Sequence, residues 1–225
     1  TVYEYALSTA WDITTASFSH AQTSWPGSTL THISGHTWKS DGTRLYVGVR
    51  PSGYSTPSLI RCFNFSTAWD LNTITNQHGS DLNLSSYIAY AQGMAYISNK
   101  LYVTGNGGII TVWNGNGNDE PQDMSYAAQF NISDNNDLSG RVNTPVSLHI
   151  NSTATKLYAG AYGVPRNISE YDFGTANNLS TLSFSGNSYT QDSPYPIYPT
   201  GIWVKEGLDV MFVADQGSGA NIKTY

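Results

Sequence analysis

The sequence predicts an all-β fold, a β-propeller built from about four four-stranded antiparallel blades. Three observations carry this: a strand-like anchor repeated at a nearly constant interval, apolar stretches of strand length around each anchor, and turn chemistry between them. The anchors are Leu45-Tyr46-Val47, Leu101-Tyr102-Val103, Leu157-Tyr158-Ala159 and Met211-Phe212-Val213, spaced 56, 56 and 54 residues apart. A β-sandwich has no reason to keep so even a period. The 225 residues read as a single domain with repeats at about 1–59, 60–110, 111–168 and 169–225.

Within a repeat, a first strand (A) precedes the anchor strand (B): Gly35–Ser40, Gly93–Ser98, Ser147–Ser152 and Gly201–Glu206. Turn formers separate the two, most clearly Ser40-Asp41-Gly42-Thr43-Arg44, whose Asp-Gly pair supplies the positive φ of a tight hairpin. Repeat two shortens this turn to Ser98-Asn99-Lys100. A third strand (C) follows a gap rich in Gly, Ser and Pro, at Leu59–Phe65, Ile109–Trp113, Ile168–Phe173 and Ala220–Tyr225, and a fifth copy, Val2–Leu7, opens the chain. A weaker fourth strand (D) comes last, at Ala16–Ala21, Ser125–Ile132 and Leu182–Asn187.

In chain order the strands run C-D, then A-B-C-D three times, then A-B-C. A ring closed by joining both ends needs one third strand fewer. Either the repeats are cut from a longer propeller, or one terminal strand is spare and pairs with another molecule.

Ser8-Thr9-Ala10-Trp11-Asp12 recurs as Ser66-Thr67-Ala68-Trp69-Asp70, right after strand C, and Thr175-Ala176-Asn177-Asn178 takes the same place later. The motif reads as a turn between strands C and D. Its Ser and Asp can hydrogen-bond local backbone, and Trp11 and Trp69 would cover the blade edge or wedge against the adjacent blade. The Trp-Asp pair does not make a WD40 protein: the period exceeds that family's about 40 to 45 residues, and half the repeats lack the pair. Tyr3-Glu4-Tyr5-Ala6-Leu7-Ser8-Thr9-Ala10-Trp11-Asp12, taken with Ser40-Asp41-Gly42-Thr43-Arg44-Leu45-Tyr46-Val47, resembles propeller repeats of phage tail and other structural proteins, marine ones particularly, and of related extracellular bacterial proteins. The resemblance implies a propeller over the whole chain and a virion or extracellular setting. Its motifs fade in repeats three and four, and propellers host many functions.

Lysine and arginine number 10 against 16 acids, for a net charge of −6, so no basic footprint for nucleic acid exists. No apolar run approaches the about 20 residues of a membrane-spanning helix, so membrane insertion is not expected. Tyr (16) and Trp (6) stand among many polar turn formers, a mixture that favours short strands. The single cysteine, Cys62, lies among Ile60, Phe63 and Phe65 and reads as a buried strand position. The chain starts at Thr1, as a processed chain or a fragment would.

No catalytic set or cofactor motif stands out. His32 and His36 are four apart, but a Gly and a strand start intervene, so no metal site is expected. Asn114–Glu120 alternates oxygen-bearing side chains, yet its early positions are neutral, and it reads as a flexible loop connecting blades rather than a calcium site. Asp119, Glu120, Asp123, Asp134, Asp137, Asp192 and Asp215 fall in loops, with no spacing that singles out a glycosidase pair.

The candidate binding residues are aromatics in Gly/Pro/Ser/Asn segments: Trp25, Tyr54, Tyr87, Tyr126, Tyr162, Tyr189, Tyr195 and Tyr198. Six sequons, at Asn64, Asn83, Asn131, Asn151, Asn167 and Asn178, would carry glycans in a glycosylating source. The expected function is a non-enzymatic extracellular or virion-associated scaffold and contact module, whose partners are protein subunits of a larger assembly. A carbohydrate-binding propeller that takes surface glycans, and a polysaccharide hydrolase or lyase, are the alternatives.

Overall fold

The computed structural model describes residues 1–27, 30, 32–50, 58–105, 107–132, 145–161, 167–190, 198–207, 210–215 and 221–224. β1 (Val2–Leu7) and β2 (Ala16–Gln22) pair as a two-stranded sheet. β3 (His32–Trp38), β4 (Arg44–Arg50), β5 (Leu59–Phe65) and β6 (Ile74–Gln77) form the next in sequence order, with the short β7 (Leu82–Asn83) also pairing on β5. β8 (Ala91–Ile97), β9 (Lys100–Gly105), β10 (Ile109–Asn114) and β11 (Ser125–Asn131) make the third sheet, and β12 (Pro145–Ile150), β13 (Lys156–Ala161), β14 (Asn167–Phe173) and β15 (Leu182–Thr190) the fourth. β16 (Pro199–Lys205), β17 (Val210–Asp215) and β18 (Asn221–Thr224) end the chain. Every pairing is antiparallel, and every anchor lies on the second strand of its sheet.

The anchor motif is explained by its two faces. Successive residues of a strand point to opposite sides, so a strand sandwiched between two blades must be apolar throughout. Leu45 and Val47 pack with Trp25, Phe63, Phe65 and Leu71, whereas Tyr46 turns to the other face and joins Leu101, Val103 and Trp113 of the following blade. The pattern advances by one blade at Tyr102, which packs with Leu157 and Ala159. Each such side chain, buried completely, contributes roughly 1.5–3 kcal/mol. Cys62 belongs to the same interior, and burial pushes its thiol pKa up to about 12.

The first strands, β3, β8, β12 and β16, pack side by side around a channel. Their approach is set by small residues. A Cβ on Gly35 would lie 1.7 Å from the Gln92 carbonyl oxygen, and one on Gly93 would lie 2.6 Å from the Ser147 carbonyl carbon. Ser147 Oγ donates to the Pro199 carbonyl at 2.6 Å, which ties β12 to β16. The ladder between first and second strands slips at this level in all four sheets.

Both copies of the extra third strand are present. Among the described residues β1 pairs only with β2, and β18 only with β17. The two ends of the array meet through Trp11, whose ring lies parallel to Trp203 at 4.9 Å, with the Lys205 ammonium 3.9 Å from the Trp11 ring centre.

Candidate functional site

The turns between third and fourth strands share one construction. Single 3-10 turns at Ile13–Thr15, Leu71–Thr73 and Leu179–Thr181 start at Asp12, Asp70 and Asn178, whose side chains accept the backbone N–H two residues on. The residue before each cap is left-handed: Trp11 at φ 67°, Trp69 at 65° and Asn177 at 61°. The expected local hydrogen bonding of the recurring motif is thus present as an N-cap. Replacing Asp70 by Ala removes it, and we expect a loss of about 1 kcal/mol, read as a small fall in denaturation midpoint with an unchanged circular dichroism spectrum.

A turn of the same backbone shape appears at Pro121–Asp123, with Asp119 in the left-handed place at φ 59° and Glu120 in the cap place, though the Glu120 side chain makes no cap hydrogen bond. Asn114–Glu120 is therefore the counterpart of the Trp-Asp turn, and in place of a flexible connector the structure has a fixed one. The Tyr46 hydroxyl donates to the Asp119 carbonyl at 3.0 Å, and Lys39 Nζ and Arg44 Nη1 reach its carboxylate at 3.0 and 2.6 Å. The Tyr96 hydroxyl donates to the second carboxylate oxygen. Burial opposes the Asp119 charge, but Tyr96, Lys39 and Arg44 outweigh it and hold the pKa below the usual value. Tyr102 repeats the link one blade later, its hydroxyl 3.3 Å from the Asn177 carbonyl.

The channel forms a concavity of about 490 Å³. Its described lining includes His36, Trp38, Trp69, Gln92, Tyr96, His149 and Trp203, and no Asp, Glu, Lys or Arg. Trp69 rests over Gly42 and tilts against Trp38 at 5.4 Å, yet stays half exposed (52%). These contacts lie within its own sheet, whereas Trp11 reaches Trp203 of a sheet distant in sequence. Gln92 Oε1 and His149 Nε2 are buried without a hydrogen-bond partner among the described residues.

Burial lowers the His149 pKa to about 4, against a smaller raising effect of Glu206. The unfolded chain then takes up a proton near pH 6.5 that the folded chain refuses until about pH 4. Thermal stability should fall as pH drops through that interval, and His149→Phe should remove this part of the fall in melting curves taken across it.

The aromatic set expected from sequence does not form one surface. Trp25 is a correction: it is buried (6%), packed at 4.8 Å on Phe63 beneath the turn at Pro26-Gly27. Tyr87 and Tyr126 do come together, stacked at 4.0 Å, but Tyr126 is on β11 rather than in a loop and both pack against Trp113. Tyr189 lies on β15 beside a groove of about 350 Å³, lined also by Tyr158, Glu170 and Met211. The Tyr198 backbone N–H donates to Asp215 at 2.8 Å. Tyr54, Tyr162 and Tyr195 lie outside the described residues.

Among the sequons, Asn167 is a second correction: it is 2% exposed on β14 and inaccessible to a glycan in the folded chain. Asn83 and Asn178 are exposed, whereas Asn64, Asn131 and Asn151 are partly buried. Asn64 contacts Arg44 and His78, and Asn151 accepts from the Thr155 and Lys156 backbone. The channel as a whole is not legible in the sequence because its lining is drawn from all four repeats.

No family model matches the chain, and no curated protein does. Solved structures match its fold. A candidate 6-phosphogluconolactonase from Bacteroides fragilis is 14% identical with a TM-score of 0.53, over 82% of this chain and 48% of that one. A second, from Bacteroides uniformis, is 12% identical with a TM-score of 0.50, over 89% of this chain and 58% of its own. A chain of a mitotic checkpoint complex is 14% identical with a TM-score of 0.51, over 86% of this chain and 50% of its own. The chain spans about half the length of these structures. Identities this low carry the likeness of fold alone, and that fold is the β-propeller.

Proposed function

We propose that the chain is a non-enzymatic propeller scaffold and contact module of an extracellular or virion assembly, joined to a second copy through its first and last sheets. The observation that carries this is the open side of β1. Tyr5 and Leu7 occupy the places of Phe63 and Phe65 in the recurring strand-and-turn motif; Phe63 and Phe65 are 0% and 6% exposed, but Tyr5 and Leu7 are 56% and 38% exposed. A strand with the composition of a blade interior thus presents that face to solvent. At the other end of the array, β18 leaves an edge beside half-exposed Ile222. The two edges belong to different strands, so pairing of β1 in one copy with β18 in another is head-to-tail.

The fate of the buried carboxylates supports a non-catalytic role. Asp119 is engaged by Lys39, Arg44 and Tyr96, and Asp215 accepts from the Tyr198 backbone. A glycosidase pair would need carboxylates free to face a substrate. Light scattering and electron microscopy of the purified chain test the proposal. Assemblies that dissociate in a Tyr5→Lys, Leu7→Lys variant are expected, and a strictly monomeric wild type at every concentration overturns it.

A further inference from the structure

We infer that the channel is a binding site for an uncharged saccharide, entered beside Trp69. Its volume of about 490 Å³ falls inside the about 300–1,000 Å³ typical of small-molecule sites. Its chemistry is the mixture such a ligand requires. Trp38, Trp69, Tyr96 and Trp203 offer aromatic surface for the C–H faces of a sugar ring. His36, Thr37 and Thr200 add neutral hydrogen-bonding groups from two different first strands. The absence of charged side chains from the described lining disfavours phosphorylated, acidic and cationic ligands, whose charge would be stripped of water with nothing to pair it.

Two of the buried polar atoms that lack a hydrogen-bond partner point the same way. Gln92 Oε1 and His149 Nε2 lie in the channel wall with no hydrogen-bond partner among the described residues. A buried polar group without a partner weighs against the folded state. Rotation of the Gln92 amide toward the channel axis gives its oxygen a sugar hydroxyl as donor. His149, neutral at physiological pH, can donate or accept through Nε2 according to its tautomer. Residues kept at a cost to the free protein and suited to hydroxyl groups mark a ligand site better than residues that merely pack.

The test is tryptophan fluorescence and calorimetry with a panel of methyl glucoside, methyl mannoside, methyl galactoside, N-acetylglucosamine, maltose and cellobiose, and with choline as a cationic control. Saturable binding of at least one sugar is expected. Gln92→Met should weaken it by about tenfold or more, because the site then offers a hydroxyl no partner, while leaving the melting temperature equal or higher. Trp69→Ala should abolish it, and should that variant not fold, Gln92→Met decides. No saturable binding of any sugar overturns the inference, as does equal affinity in Gln92→Met or binding of choline alone. The site does not depend on assembly: a monomeric chain that binds sugar keeps this inference and loses the scaffold reading.

Discussion

Gly35→Ala should lower the stability of the protein by about 3 kcal/mol or more, the upper end of what one added methyl costs a packed interior. The new Cβ would lie 1.7 Å from the Gln92 carbonyl oxygen, a main-chain atom on the next blade's first strand, so no side-chain rotation relieves the clash. Either β3 or β8 must move, and with it the seam around the channel. Gly93→Ala meets Ser147 backbone at 2.6 Å and should behave similarly. Gly201→Ala is the control: a Cβ there lies 3.2 Å from the Ala214 Cβ, and it should cost far less. Urea denaturation of the three variants gives the order directly. Equal, small losses in all three would mean the first strands are not packed against one another as described.

Asp119→Asn is the second large effect. The substitution keeps the shape and suits the left-handed backbone at φ 59°, but removes the charge that holds Lys39 and Arg44. Removing one partner of a largely buried ion network costs about 3 kcal/mol, or roughly 6–12 °C in melting temperature for a chain of this size. The pH dependence carries the sign. The folded-state pKa is depressed, so this stabilisation is complete above the ordinary carboxylate pKa of 3.8 and is lost as pH falls through the depressed folded value. The wild type should lose stability in that acidic range by more than the Asn variant does. Parallel curves for the two proteins would place the carboxylate outside the network.

How much of this was legible in the sequence depends on the range of the interaction. Leu45-Tyr46-Val47 and its copies could be read because a strand buried on both faces must be apolar at every residue, whatever lies beyond it. Asp12 and Asp70 were readable as local hydrogen-bonding residues because a cap acts over two residues. Asp119 was missed although it stands in the same left-handed place: Asn114–Asn118 resembles a solvent loop, and only the count back from Pro121 betrays its equivalence to Trp69. Trp25 was misplaced because Pro26 and Gly27 suggest an exposed turn, while the ring folds back onto Phe63. The channel could not be read at all, since His36, Gln92, His149 and Trp203 line one cavity only when the first strands of four repeats pack side by side.

The open side of the first sheet is tested most directly by backbone hydrogen exchange at β1, followed as protein concentration rises. If β1 pairs with a second copy, protection at residues 2–7 increases with concentration while that of β9, enclosed between β8 and β10, stays constant. Exchange at β1 that stays fast and independent of concentration would contradict it.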